Sequence, residues 1–390
     1  MSKKILFVGL AYYPYLEYGG PIRVMRSYGL ALTSQGHEVT IYCSNIVNRQ
    51  FKRMADRTVQ SERDGMRIVY MKTDVCLSDG LTISTDLVRH LKREMTSYDV
   101  VHLFGPRDYF VGMAAFYAMK KGIPFFIHPM GAMNYKNSKV VLKFIWDTVL
   151  GRRLINGAEY IVEATDEQVG DLLDYGIPAV KTAVIPWCPD PDLTGIPTRS
   201  GFFREKFGIS RDDLVILFLG RVHRKKGIDL LIRSLAVLKE FSPRLIVVGH
   251  DDDGSMGELK ELASQLKLED RVVWAGALHS PESAVAYRDA DIFALVSKHE
   301  SAPMALLEAC LMGVPVLISD NLGMSDMVRD RAGVIVDTTT ESTAIGLKEL
   351  LRSAELRKRF GEGGKKLVAE HFSVQAMALK LEKLYKTASI

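Results

Sequence analysis

Short stretches that are apolar on both faces recur along the chain in two sets. KILFVGL, EVTIYCS, MRIVYMK, DVVHLFG, IPFFIHP and AEYIVEAT form the first; LVILFLG, RLIVVGH, RVVWAGA, DIFALVS, VPVLIS and AGVIVD form the second. A strand with one wet face alternates apolar and polar residues. A strand covered on both faces does not, and such strands belong to parallel sheets sandwiched by helices. Helical patterns of ten or more residues separate most of the runs, so the alternation is βαβ, and it occurs twice. The sets are parted by IPWCPDPDLTGIPTRS, residues 185 to 200, whose four prolines and one glycine mark an interdomain linker. The predicted fold class is α/β: two Rossmann-like doubly wound parallel-sheet domains, about 1–187 and 188–373, facing across a cleft. Ligands in such sheets sit outside the carboxyl ends of the strands.

The length of 390 residues suits two domains with ample core. The net charge of +4 is too small to argue for nucleic acid. Its distribution is more informative. Residues 1–153 hold 22 Lys and Arg against 12 Asp and Glu, which points to an anionic partner or surface for the first third. Cys43, Cys76, Cys188 and Cys310 show no CxxC spacing, so reduced thiols are expected, and neither zinc nor a disulfide framework. The opening MSKKILFVGL is too short, and lacks the cleavage site, for a signal peptide; it reads as a first strand. No stretch approaches 18 apolar residues. Neither GxGxxG after a strand nor a Walker A sequence occurs, which weakens dehydrogenase and NTPase readings; GEGG at 361–364 lies in a basic helical stretch.

The segment HESAPMALLEACLMGVPVLIS carries the chemistry. Ser301 is predicted as N-cap with Pro303 in the first turn, and the helix should stop at Gly313. Its free N–H groups and positive dipole end form an anion site. Glu308 sits among apolar residues on every side, ~9 Å along the axis from Ala302, and a buried carboxylate needs partners. An anion at the helix N-terminus, with Glu300 on one side and Glu308 on the other, suits the sugar, diphosphate and ribose of a nucleotide sugar. The blander alternatives are that Glu300 complements the helix dipole and that Glu308 pairs with a structural group. A second stretch, LVILFLGRVHRKKGIDLLIRSL, is strand, glycine turn, basic loop and helix. Arg221, directly after the strand, can grip phosphate through its rigid fork. Lys226, taken to open the helix, can add a point charge. Arg224 and Lys225 read equally well as a solvated charge run.

These stretches resemble the retaining glycosyltransferases of family four, which have the GT-B fold. ESAPMALLEACLMGVPV is similar to that family's E-x7-E motif, EGxPxxLLEAxxxGxPV, and LGRVHRKKGIDLLI to its GRxxxxKGxDxLI segment. YPYLEYGGPIRVMRSYGLALTSQGHEVTIYC resembles its glycine-pair opening, and FSVQAMALKLEKLY its closing helix, about 374–390, which completes the first domain. The resemblance implies that Arg221 and Lys226 hold the donor diphosphate. Ala302, Pro303, Met304 and Ala305 would line the donor site at the helix N-terminus. Glu308 would take the ribose hydroxyls, Glu300 the hydroxyls of the transferred sugar, and His128 would lie beside that sugar. Gly19 and Gly20 would let backbone approach the donor. His128, Glu300, Arg221 and Lys226 are thus the expected catalytic group. The chain departs from the pattern at VIPWCPD, where VIPNGVD is usual, so Trp187 and Cys188 replace Asn and Gly. Ser301 and Ala302 also replace a glycine and a larger residue.

The resemblance further implies net retention without a protein nucleophile, the leaving phosphate oxygen taking the acceptor's proton. Arg221, Lys226 and the helix amides would carry the charge that a metal carries elsewhere, so no cofactor or metal is expected. The acceptor, a glycan or a lipid-linked carbohydrate, would bind the first domain, with Tyr18, Arg107, Met130, Asn134 and Tyr135 as candidates. NYKNSKVVLKFIWDTVLGRRLI is basic and amphipathic. Such a helix can lie on an anionic membrane or simply pack on the sheet. The expected setting is the cytoplasm or the inner face of its membrane, in polysaccharide or glycoconjugate synthesis. A same-fold nucleotide-sugar epimerase, an α-glucan phosphorylase-like enzyme and a non-catalytic nucleotide-sugar-binding module are the rival readings. The nucleotide base, the sugar and the acceptor are not fixed by the sequence.

Overall fold

The computed structural model describes residues 2–15, 18–48, 50–78, 81–105, 107–133, 151–195, 201–278 and 282–387. Two compact units emerge, one of Met1–Trp187 with Val374–Ile390, the other of Cys188–Ser373.

The strands of the first unit are β1 (Lys4–Gly9), β2 (Glu38–Ser44), β3 (Val59–Arg63), β4 (Met66–Met71), β5 (Val75–Ser78), β6 (Leu81–Ile83), β7 (Val100–Phe104), β8 (Phe125–His128), β9 (Tyr160–Glu163) and β10 (Thr182–Val184). Eight of them form one sheet in the order β10-β9-β8-β7-β1-β2-β4-β3, and β5 pairs with β6 as a separate hairpin. Pairing in the large sheet is parallel except at β3, which runs antiparallel to β4 on the edge. Ile5, Leu6, Phe7 and Val8 are all buried, as is all of Val100–Phe104. Successive side chains point to opposite faces, so unbroken burial means both faces are covered. The helix Gly20–Ser34 packs against the last helix, Val374–Thr387. From the latter Tyr385 reaches the buried His102, its hydroxyl 2.6 Å from Nδ1.

In the second unit β11 (Val215–Leu219), β12 (Arg244–Val248), β13 (Val272–Gly276), β14 (Ile292–Leu295), β15 (Val316–Ser319) and β16 (Gly333–Val336) form a wholly parallel sheet. Its order is β13-β12-β11-β14-β15-β16. The chain therefore lays three strands outward from β11, then returns to start again at β14. The helices after β11 and β14 leave on opposite faces at such a switch point, and the loops that lead to them part to form a crevice. The basic loop follows β11, and the Glu300 loop follows β14.

Two local features seat these loops. Gly227 has φ 69°, a left-handed conformation that favours glycine, and it precedes the helix Ile228–Val237. A Cβ there would run into the carbonyl oxygen of Val296, just past β14. The second feature is the helix Ala354–His371, which packs against the helix Met304–Met312. A Cβ on Gly361 would strike the carbonyl oxygen of Gly313, and one on Gly363 that of Arg331. GEGG is thus a close-packing surface. Neither carbonyl can rotate away as a side chain would. Gly361→Ala and Gly363→Ala are expected to lower the unfolding free energy by roughly 1–3 kcal/mol each, despite alanine's better helix propensity. Urea denaturation measures this.

Candidate functional site

The helix after β14 begins later than its sequence suggests. It spans Met304–Met312, with Pro303 as N-cap and no side-chain cap; Ser301 does not cap it. The proline is the physical reason. A residue before proline avoids the α region, so Ala302 stays outside the helix. Glu308 consequently lies four residues past Met304, ~6 Å along the axis rather than ~9 Å. Gly313 closes the helix at φ 75°, as predicted. Lys226 is likewise displaced. It ends the 3-10 turn Arg224–Lys226, one residue ahead of the glycine that caps the next helix.

The switch point brings Lys226 and Glu300 together as a direct ion pair between Nζ and Oε1. Lys225 Nζ stands 3.6 Å from the same oxygen. Lys226 is 9% exposed, and burial lowers its pKa while the charge of Glu300 opposes the shift. Backbone ties hold the two loops in register. Lys298 N–H and the Ser297 hydroxyl both donate to the Lys225 carbonyl, at 2.8 and 2.9 Å. Gly323 N–H donates to the Glu300 carbonyl. Arg221 is half-exposed, and its Nη1 donates to Asp252 Oδ2 at 2.6 Å. Glu308 is buried, and the hydroxyl of Tyr287, on the helix Glu282–Asp289, lies 2.9 Å from its Oε2. Neither Asp252 nor Tyr287 stands out as a site residue in the sequence. HDDDG, one glycine beyond β12, is the available signal for the first. A tyrosine 21 positions before its partner gave none for the second.

The first unit places its residues around the carboxyl ends of β1 and β8. Gly19 is the N-cap of the helix Gly20–Ser34 with φ 88° and ψ −137°, a conformation open chiefly to glycine. A Cβ at Gly19 or Gly20 would meet no protein atom within 4 Å. Tyr18 packs on the core and against Tyr15, with ring centroids 5.7 Å apart. His128 ends β8, fully buried, and burial pushes its pKa down to about 3. The indole N–H of Trp187 lies 3.2 Å from its Nε2. Met130 and Gly131 follow at φ 59° and 71°. Glu163, buried at the end of β9, takes the Gly131 N–H between its two oxygens, each at 3.2 Å. Arg107 donates to the carbonyls of Ala132 and Met133, so its guanidinium supports this turn. Asn134, Tyr135 and the amphipathic stretch up to residue 150 lie outside the described residues. Among the described residues, no group of three or more His, Cys, Asp or Glu is placed to hold a metal ion. No helix among them is long and apolar enough to cross a membrane.

Two family models match the chain: a glycosyl transferase 4-like domain over residues 19–188, and glycosyl transferases group 1 over residues 200–367. D-inositol 3-phosphate glycosyltransferase of Corynebacterium jeikeium is 32% identical over 60% of this chain and 59% of its own. An uncharacterized glycosyltransferase of Methanocaldococcus jannaschii is 29% identical over 48% of each. The matched part is between 45% and 60% of the length of the curated relatives. Among solved structures, the Anabaena protein HepE in complex with UDP and glucose superposes with a TM-score of 0.76 at 17% identity, over 100% of both chains. Sucrose-phosphate synthase from Thermosynechococcus elongatus superposes at 0.73 and 17% identity, over 99% of this chain and 98% of that one.

Glu163 gives this region a pH signature. Burial raises its pKa to about 8; the Gly131 N–H lowers it and Asp171 raises it. The folded state therefore binds a proton that the unfolded state releases near the ordinary carboxylate value of 4.5. The stabilisation is complete below that value and is lost as pH rises towards 8. Urea titrations between pH 5 and 9 should show stability falling with pH, and Glu163→Gln should flatten that slope.

Proposed function

The chain belongs to the GT-B glycosyltransferases that join a 4-like domain to a group 1 domain, and from that premise we propose that it transfers a sugar, with net retention, from a nucleoside-diphosphate sugar to a glycan or lipid-linked acceptor. The observation that carries the reading is the Lys226–Glu300 pair at the switch point of the second sheet, beside the helix N-terminus at Met304. An ammonium and a carboxylate left there would serve better with separate partners. A diphosphate supplies one to Lys226, and sugar hydroxyls supply the other to Glu300. The donor trades one internal ion pair for two charge-assisted contacts.

In this reading the pyrophosphate rests on the N–H groups of Met304 and Ala305, just past the N-cap Pro303, gripped by Arg221 and Lys226. Arg221 comes pre-aimed by Asp252, which occupies one edge of its fork. Glu308 accepts the ribose hydroxyls, its ring-side oxygen already oriented by Tyr287. As the bond from the anomeric carbon to the phosphate oxygen breaks, its electron pair goes to the diphosphate. Arg221, Lys226 and the helix amides stabilise that charge. The acceptor hydroxyl attacks the same face, its proton passing to the departing phosphate oxygen, so no protein nucleophile is required. The protein's own cations do the work for which other enzymes recruit a metal. We assign the acceptor to the first unit, with Gly19, Gly20, His128, Met130 and Tyr18 as substrate-facing candidates. The basic excess of residues 1–153 suits an anionic acceptor or membrane surface, at the cytoplasmic side.

A thermal-shift panel of UDP, GDP and ADP with their glucose conjugates tests the donor class. A true donor at 100 times its Kd should stabilise the protein by about 2.7 kcal/mol. No shift with any member would sink the reading. With the donor identified, Lys226→Ala and Arg221→Ala should each lower kcat/KM roughly 100-fold or more, and Glu300→Gln should abolish most turnover while the fold persists.

A further inference from the structure

Trp187 stands where the family pattern has asparagine, and the proposed function gives it no task. Its Nε1 lies 3.2 Å from Nε2 of His128, with the two rings tilted 38° and their centroids 6.3 Å apart. The stretch that carries it is pinned. Tyr28 donates its hydroxyl to the Ile185 carbonyl at 3.0 Å, and Ile185 N–H donates to the Glu163 carbonyl at 2.8 Å. Trp187 therefore meets His128 from a fixed backbone, two residues further on. The rings of Tyr28, His102 and Phe104 also pack near the imidazole, with centroids 5.4, 6.1 and 6.0 Å away.

The chemistry of this pair has one solution. Indole N–H is a donor and never an acceptor. Nε2 of His128 must then supply its lone pair, which places the imidazole proton on Nδ1. Nδ1 is buried and, among the described residues, has no hydrogen-bond partner. With Nε2 engaged and Nδ1 carrying hydrogen, neither nitrogen offers a lone pair to a substrate. What the ring can offer is one N–H, which no described protein group accepts.

We propose that Trp187 is a positioning residue that locks His128 in its Nδ1–H tautomer, so that His128 serves the transfer reaction as a hydrogen-bond donor to a substrate oxygen and not as a base. The proposal rests on the proposed function for the substrate; the tautomer rests on the Trp187 contact alone. An oxygen of the sugar or of the acceptor hydroxyl is the class of group that Nδ1–H would satisfy.

Imidazole 15N spectra of the full-length protein test it, with the His128 signals assigned by their loss in His128→Gln. The wild type should show a protonated Nδ1 and a bare Nε2. Trp187→Phe keeps an aromatic ring but removes the donor; it should mix the two tautomers and lower kcat about tenfold, with the donor KM within about twofold. Trp187→Leu serves if the phenylalanine variant misfolds, and the wild-type spectrum needs no variant. A protonated Nε2 in the wild type overturns the proposal, as does an unmixed Nδ1–H tautomer in the variants. Mixed tautomers with unchanged kcat also overturn it. A purely structural role would lower the melting temperature and leave the tautomer alone. If wild-type protein releases no nucleoside diphosphate from any nucleotide sugar, the proposed function fails while the tautomer result stands.

Discussion

A parallel sheet sends every strand's carboxyl end to the same edge, and the second unit's chemistry depends on that constraint. Because β11 and β14 are neighbours in space but far apart in sequence, the loops after them are forced side by side. Four charged side chains (Arg221, Lys225, Lys226 and Glu300) are delivered to one crevice by topology. Gly227 lets the loops close to the distance that pairing requires, since any side chain there would push Val296 away. The ion pair between Lys226 and Glu300 is the product of that geometry. In partial burial such a pair contributes little to stability, and removing one partner leaves the other stranded. Both charges are held there, dehydrated in part.

Most of this was legible in the sequence, because burial on both faces writes itself as unbroken apolar runs. KILFVGL and DIFALVS needed no partner to be recognised as interior strands. The edges were not legible. VQSER, as β3, is polar and exposed, and its existence depends on β4 beside it. The hairpin of β5 and β6 is too short and too wet to leave a pattern. The start of the helix at Met304 was misplaced because Ser301 is a good capping residue by type. Pro303 overrides that preference through the backbone of Ala302, a restraint that acts one residue upstream of its source.

The candidate site was legible to the extent that its residues bring charge to strand ends. Arg221, Lys226 and Glu300 stand out for that reason, and Glu308 as a lone carboxylate in an apolar helix. Their partners do not. Asp252 and Tyr287 sit on other elements, and only the fold tells which carboxylate meets Arg221 or which hydroxyl meets Glu308. Glu163 was passed over within an apolar run, yet it is the buried acid that braces the two left-handed residues after His128. Arg107, read as a substrate contact, spends two of its donors on the same turn. Sequence shows where a charge is; it does not show what that charge is already holding.

The return of the last helix to the first unit has a practical corollary for anyone recombining such proteins. Residues 188–373 form one continuous cassette, entered at Cys188 and left at Ser373. The other unit is assembled from both ends of the chain. A chimera made by a single join after Trp187 would import a foreign closing helix against Gly20–Ser34 and would hand His102 a stranger in place of Tyr385. Two joins, swapping only the cassette, leave that seam native and should be the more tolerant design.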